Sequence, residues 1–220
     1  MKNRRSIVIL ALTASCAILL GISHHAQADT IYSSFGQSPP GYTNAGYAVG
    51  WGPCGFSGGD CQTDLAAGFT PALNYTLASI SFAASYNSGA NSLNIRLAAG
   101  ATHPDVILES FSFTNLTSAA AIYSAGSSTH PLLSAGTRYW FILSPSDGTN
   151  ITWWTGSDYI PPNLLTGYTS GSTWVPGTPL AGQTAFAAEG ASVSAPEPTI
   201  MLLLGLGLVG VMGLKRKYLR

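Results

Sequence analysis

The central part of the chain, residues 29–195, contains no lysine and only two arginines, Arg96 and Arg138. Eight acidic residues accompany them, so this part is negatively charged although the whole chain has a formal net charge of zero. A protein that binds the phosphate backbone of a nucleic acid needs a cluster of basic side chains. The composition therefore excludes nucleic acid as a partner of the central part.

Most basic residues lie instead at the two ends of the chain. At the N-terminus, three of them in the first five positions precede an apolar stretch, 7–22, and then the small residues 26–28. This order is typical of a secretory signal peptide. We therefore predict that residues 1–28 are a signal peptide and that the protein is exported.

A second arrangement of apolar and basic residues lies at the C-terminal end, after a short linker at 191–195. Pro196, Glu197 and Pro198 precede an apolar segment, 199–214, that contains no charged residue. Four basic residues follow it: Lys215, Arg216, Lys217 and Arg220. As a helix the segment is about 24 Å long, shorter than the roughly 30 Å hydrocarbon core, and the basic tail places its end in the cytoplasm. We predict a thin transmembrane helix with the body of the protein outside.

These three parts, 196–220, resemble the PEP-CTERM sorting signal, in which a Pro-Glu-Pro motif, an apolar span and a basic terminus follow in this order. The resemblance implies recognition by an exosortase, a membrane transpeptidase of Gram-negative bacteria that make exopolysaccharide. It implies an intermediate anchored in the inner membrane, then cleavage near Pro196–Pro198 and release to the cell surface or the extracellular matrix. A plain C-terminal anchor without processing is the alternative.

Cysteine is scarce, and Cys54 and Cys61 are the only two beyond the signal peptide. In the oxidising compartment to which the protein is exported, such a pair favours a disulfide. A metal pair fits the sequence less well, because the two lack the usual two-residue spacing and have no histidine nearby. We therefore predict a disulfide between Cys54 and Cys61.

Alternation of apolar and polar residues predicts β-strands over most of the central part. The strand candidates are 31–35, 66–70, 75–84, 92–97, 105–113, 137–143, 151–155 and 184–188. Clusters of glycine, proline, asparagine and serine separate them. About eight to ten short strands, with no helical pattern before residue 199, predict one all-β domain over 29–190. We expect a single antiparallel, jelly-roll-like β-sandwich.

Two strand candidates allow more detailed predictions. In 137–143 the alternation places Arg138 and Trp140 on the face opposite the apolar one. In 105–113 the apolar phase changes around Glu109 and Ser110, which predicts a β-bulge at that point.

Two long stretches, 37–59 and 160–180, are rich in glycine and proline and do not show this alternation. We interpret them as long surface loops, and hence as candidate binding regions. Three segments, 67–69, 75–77 and 132–140, loosely resemble ectodomains of the choice-of-anchor type. That resemblance implies a β-sandwich and assigns no catalytic residue.

No catalytic arrangement is evident. The segment 55–59 matches the G-x-S-x-G pattern of serine hydrolases, but it lies between the two cysteines and no helix follows it. Asp105 and Glu109 are four positions apart on one strand and are expected to share a face, whereas glycosidase carboxylates oppose each other across a cleft. We therefore expect no enzyme and no cofactor. The alternative is an extracellular hydrolase or lyase that acts on polysaccharide.

Calcium is the one ion for which hard oxygen ligands are available. Asp147 and Asn150 lie on a turn, and Asp158 follows a few residues later. An ordinary Asp-Gly hairpin turn is the stronger interpretation of this stretch, so calcium remains a weak candidate.

Tryptophan supplies the more informative candidate. Trp153 and Trp154 are adjacent on one strand, so only one of them can point into the core. We expect Trp154 to form an exposed platform with three other tryptophans: Trp51, Trp140 and Trp174. Aromatic faces stack on the apolar faces of sugar rings without any basic residue. Core or loop packing is the alternative role for these residues.

The function that these observations predict is that of an exported, non-enzymatic surface or extracellular matrix protein. Its role in the exopolysaccharide of a biofilm would be structural, adhesive or carbohydrate-binding.

Overall fold

Thirteen β-strands, all paired antiparallel, make up the part of the chain that the computed structural model describes. This part comprises residues 28–37, 39–53, 60–146, 148–157, 164–168, 171–176 and 183–193. The strands are β1 Asp29–Ser33, β2 Tyr42–Pro53, β3 Asp60–Phe69, β4 Tyr75–Ser88, β5 Ser92–Ala99, β6 Val106–Thr114, β7 Ala121–Gly126, β8 Leu132–Leu133, β9 Tyr139–Ser146, β10 Asn150–Gly156, β11 Leu164–Tyr168, β12 Gly171–Pro176 and β13 Phe186–Ser192. Within these ranges there is no helix long and apolar enough to cross a membrane.

The predicted signal peptide lies outside the described residues except for Ala28, and so does the whole predicted membrane segment, 199–214. β13 continues through Ser192, so the first residues of the predicted linker, 191–195, belong to a strand.

The strands form one curled sheet with the order β1-β13-β4-β10-β2-β3-β9-β5-β6. β7 and β8 pair with β4, and the hairpin of β11 and β12 joins the sheet through β3. One layer therefore contains β4, β13 and β10, and the other contains β3, β9, β5 and β6. The predicted single antiparallel β-sandwich is confirmed.

β2 carries the sheet from one layer to the other, because it pairs with β10 over most of its length and with β3 at its end. The change occurs at Gly50, which has a φ of 126° and pairs with both Asn150 and Thr63. A Cβ atom at Gly50 would lie 2.1 Å from the carbonyl oxygen of Thr149. Only glycine fits this bend without strain.

The hydrophobic core lies between the two layers and is rich in aromatic rings. Phe141 of β9 stacks on Phe186 of β13 with a centroid distance of 4.9 Å, and its ring lies 5.7 Å from that of Trp153 of β10. All three side chains are fully buried, as are the alternate apolar side chains of β5. The faces predicted from the alternation in 92–97 and 137–143 are confirmed.

The predicted β-bulge in β6 is also confirmed. Leu97 of β5 pairs with Glu109, but the next residue, Ala98, pairs with Ile107. Leu108 is therefore the extra residue. It shifts the phase of β6 immediately before Glu109, as the change in the apolar pattern predicted.

The prediction of two long surface loops is wrong in part. β2, Tyr42–Pro53, lies within 37–59, and β11 and β12, Leu164–Tyr168 and Gly171–Pro176, lie within 160–180. β2 is glycine-rich, and β2 and β11 take hydrogen bonds from strands that are distant in sequence, so the local composition resembles that of loops.

Candidate functional site

The layer β6-β5-β9-β3 has a polar surface on the side away from the core. The apolar side chains of β5 point inward, so Asn94 and Arg96 point outward. Cross-strand pairing brings Ser112 of β6 and Ser144 of β9 opposite Asn94, and Asp64 of β3 hydrogen-bonds to Ser144. We call these five residues the polar face.

Hydrogen bonds across the strands hold the polar face together. The Arg96 guanidinium donates to Asp64 Oδ2 over 2.8 Å, and the Ser144 hydroxyl donates to the same oxygen over 2.8 Å. Arg96 donates to Ser144 Oγ as well, and Ser112 Oγ donates to Asn94 Oδ1 over 2.9 Å. Four neighbouring strands thus fix hydroxyl, amide and charged groups on one rigid surface.

The ion pair in the polar face has unused hydrogen-bonding capacity. Asp64 is 7% exposed, and burial raises the pKa of its carboxyl although the Ser144 hydrogen bond and the Arg96 charge lower it. Asp64 Oδ1 and Arg96 Nε are buried without a hydrogen-bond partner among the described residues. A buried polar atom in that state costs about 1–3 kcal/mol.

The structure corrects the prediction for Trp140. Its side chain is on the outer face, as predicted, but it is only 2% exposed and its Nε1 donates to the carbonyl oxygen of Gly100 over 2.7 Å. It belongs to a second, smaller apolar cluster with Ala66, Ala98 and Ile142, against which Trp174 packs. Trp140 therefore stabilises the fold and does not offer a free ring to a ligand.

The other tryptophans occupy separate places. Trp153 is fully buried and Trp154 is half-buried on the opposite face, as the adjacency of the two predicted. Trp154 lies on β10, in the layer opposite the polar face, whereas the half-buried Trp174 lies on β12. Trp51 belongs to β2, and its side chain lies outside what the structure describes. Trp140 is therefore not available to the predicted platform, and Trp154 and Trp174 lie on different layers and do not form a common one.

Arg138 covers the ring of Trp140. Its guanidinium carbon lies 4.9 Å from the ring centroid, and Gly68 makes room for it, because a Cβ atom there would lie 2.5 Å from an Arg138 nitrogen. Burial lowers the pKa of Arg138, and the Tyr32 phenol opposes this effect. Both arginines of the central part are therefore on the outer side of one layer.

Glu109 is a buried carboxylate whose role sequence reasoning missed. Its carboxylate accepts hydrogen bonds from Ser127 Oγ at 2.5 Å, from Ser128 N and Oγ at 2.6 and 3.1 Å, and from Thr129 N at 3.2 Å. Burial alone would raise the pKa of Glu109, but these bonds lower it below its usual value. The bulge lies between Asp105 and Glu109, and only Asp105 is exposed, so the shared face predicted for them is wrong. In the sequence, the change of the apolar phase at Glu109 was the feature that could have indicated its buried position.

Several predicted sites lie outside the described residues. They include the motif Pro196, Glu197 and Pro198, the basic residues Lys215, Arg216, Lys217 and Arg220, and the residues Cys54, Asp147 and Asp158. Of Cys61 only the backbone is described, as part of β3, and Asn150 is half-buried at the start of β10. Within the ranges given above no three metal-ligating side chains cluster. The disulfide and the calcium site stay predictions.

Comparison with known proteins identifies one feature of the chain. Residues 194–217 match the family model described as the PEP-CTERM protein-sorting motif. No curated protein and no solved structure matches the chain. The resemblance of the body to choice-of-anchor ectodomains therefore stays a prediction, whereas the sorting signal predicted from 196–220 is confirmed.

Proposed function

We propose that this PEP-CTERM protein, an exported surface protein that an exosortase recognises through its sorting motif, acts within the exopolysaccharide as a structural or adhesive protein. The motif marks a membrane-anchored intermediate that precedes arrival at the surface. In our proposal the processed body contacts the polysaccharide through the polar face and performs no catalysis. Its final location is the cell surface or the surrounding matrix.

The observation that carries the proposal is the chemistry of the polar face. Sugar hydroxyls both donate and accept hydrogen bonds, and the side chains of Asn94 and Ser112, which are not buried, offer groups of both kinds. The Asp64–Arg96 pair adds a charged acceptor and a charged donor, which form the stronger bonds. These groups lie on neighbouring strands, so little conformational entropy is lost when they bind a chain of sugars.

The buried carboxylates of Glu109 and Asp64 are both held by hydrogen bonds within the protein, which supports a role without catalysis. A glycosidase needs two carboxyl groups that face each other about 5 to 10 Å apart across a cleft. The Glu109 carboxylate is engaged by the loop after β7, and Asp64 is paired with Arg96. The alternative, a hydrolase or lyase that acts on polysaccharide, requires a different pair of acids to converge.

Retention on polysaccharide tests the contact. The processed protein is passed over the immobilised polysaccharide of the strain that produces it. We expect wild-type protein to be retained, and a variant with Asn94→Ala and Ser112→Ala to be retained several-fold less. The matched control is Ser81→Ala with Ser124→Ala, an exposed cross-strand hydroxyl pair at 3.1 Å on the other layer.

Three outcomes would contradict the proposal. Wild-type protein that is not retained, or equal retention of the two double variants, would reject binding through the polar face. Release of sugar fragments by the wild-type protein would reject the absence of catalysis.

Mass spectrometry of the protein recovered from the cell surface tests the processing. We expect a C-terminus at or near Pro196–Pro198. A surface protein that still ends in Arg220 would show that the anchor is not removed.

A further inference from the structure

Three exposed aliphatic side chains lie on segments that meet where β13 leaves the body. Leu73, Leu132 and Val193 are 57%, 57% and 49% exposed. The backbone N–H of Val193 donates to the carbonyl oxygen of Asn74 over 2.8 Å, and Leu132 pairs with Thr76. Val193 and Leu132 therefore flank the same short segment, two strand spacings apart across it and two residues apart along it, or about 12 Å from each other. We call these three aliphatic residues the apolar end.

Asp29 of β1, an exposed acidic residue that pairs with Gly190, borders the apolar end. The segments that carry it, 71–76, 131–137 and 190–193, contain no charged residue, although the central part of the chain has eight acidic residues. An exposed apolar patch is uncommon on a protein that has no partner for it. Aliphatic side chains on uncharged segments can enter the boundary between headgroups and acyl chains.

The chain itself keeps the apolar end near the membrane. Val193 is six positions before Thr199, the first residue of the apolar segment 199–214. Six residues span at most about 21 Å even when fully extended. As long as the sorting segment anchors the protein, the apolar end therefore stays within about this distance of the lipid.

We propose that the apolar end is the surface with which the body contacts the lipid bilayer in the anchored intermediate. Leu73, Leu132 and Val193 insert at the boundary between headgroups and acyl chains, and the contact is given up when the sorting segment is cleaved. This proposal depends on the anchored intermediate and not on the contact with polysaccharide.

The contact also orients the polar face. Tyr139 lies at the end of β9 near the apolar end, since its hydroxyl accepts a hydrogen bond from the backbone N–H of Ser134 over 2.8 Å. Ser144 is five positions further along the same strand, or about 17 Å away. The polar face is thus held on the part of the body that is far from the membrane, where polysaccharide is accessible before cleavage.

Photo-crosslinking of the full, uncleaved chain tests the contact. The chain is reconstituted into vesicles of phosphatidylethanolamine and phosphatidylglycerol, with a benzophenone amino acid in place of Leu132 or Val193. The matched control is Ile122, an aliphatic residue of similar exposure, 50%, on β7. It pairs with Ala83, seven positions and about 23 Å along β4 from Thr76.

We expect lipid adducts at positions 132 and 193 in several-fold higher yield than at position 122. After proteolytic release of the body from the vesicles, the yield at 132 and 193 falls to that of the control. Equal yields at all three positions in the anchored chain, or no adducts at 132 and 193, would overturn the proposal. Because no polysaccharide is present, this result is independent of the retention experiment.

Discussion

Glu109 and Asp64 are almost equally buried, at 5% and 7% exposure, on two strands of the same layer, but their surroundings differ. Both oxygens of Glu109 accept hydrogen bonds from residues 127–129, whereas Asp64 Oδ1 has no partner among the described residues. The pKa of Glu109 is lowered by its hydrogen bonds in spite of burial, and that of Asp64 is raised by burial. A buried carboxylate whose acceptor sites are all used stabilises the fold, while one with an unpartnered buried oxygen pays a desolvation cost.

The substitution Glu109→Gln should have the largest effect. It removes the charge that strengthens four hydrogen bonds and turns an amide N–H toward donors, so we expect the free energy of unfolding to fall by about 2–3 kcal/mol. Urea unfolding of the purified processed protein measures this change. The control is Glu189→Gln, because Glu189 is half-exposed and accepts one hydrogen bond from Ser79 at 3.1 Å. A loss at Glu109 no larger than at Glu189 would contradict the structural role.

The substitution Asp64→Asn should affect the free energy of unfolding less than Glu109→Gln does, but it should weaken retention on polysaccharide more. Burial raises the pKa of Asp64, so its charge costs the folded state free energy, and Arg96, whose side chain is 33% exposed, keeps a neutral acceptor. We therefore expect the free energy of unfolding to change by less than about 1 kcal/mol. Retention on polysaccharide should decrease several-fold, because the charged acceptor of the polar face is gone. The control is Asp105→Asn at an exposed position outside the strands. Retention that is unchanged by Asp64→Asn would show that this carboxylate does not contact the ligand.

The smallest expected effect is on the pH dependence of stability, to which Glu109 and Asp64 contribute with opposite signs. The folded pKa of Glu109 is below its unfolded value of about 4.3, so its contribution to stability is present above that pH and is lost as pH falls through the folded pKa. The folded pKa of Asp64 is above its unfolded value of about 3.9, so its protonation at falling pH favours the folded state.

Urea unfolding from about pH 7 to about pH 3 checks these signs. Relative to wild type, Glu109→Gln should lose less stability on acidification, and Asp64→Asn should lose more. Parallel profiles for the three proteins would mean that the two carboxylates titrate alike in the folded and unfolded states.

Features that depend on local alternation were predictable from the sequence. The inward face of β5, the opposite orientations of Trp153 and Trp154, and the bulge before Glu109 each follow from the positions of apolar residues within one strand. The alternation of side chains between two faces is a property of the single strand and does not depend on its neighbours.

Features that depend on distant strands were not predictable. Asp64 and Arg96 are 32 positions apart, and they meet only because β9 lies between β3 and β5. Trp140 was assigned to the correct face, but its burial requires Arg138 and the packing of Trp174 from β12, in a stretch that was interpreted as a loop. The groups that donate hydrogen bonds to Glu109 lie about 20 positions away, in the segment after β7. In each case the strand order, and not composition, determines the environment.

The pairing of β1 with β13 affects the time at which the protein can fold. β1 is the first of the described strands and takes its hydrogen bonds from the last, with Asp29 opposite Gly190. During export β1 therefore has no partner until nearly the whole body has crossed the membrane, and closing so long a loop makes its pairing a late and slow step. The sorting segment follows directly. The sandwich can therefore be completed only after export of the segment that directly precedes the sorting motif.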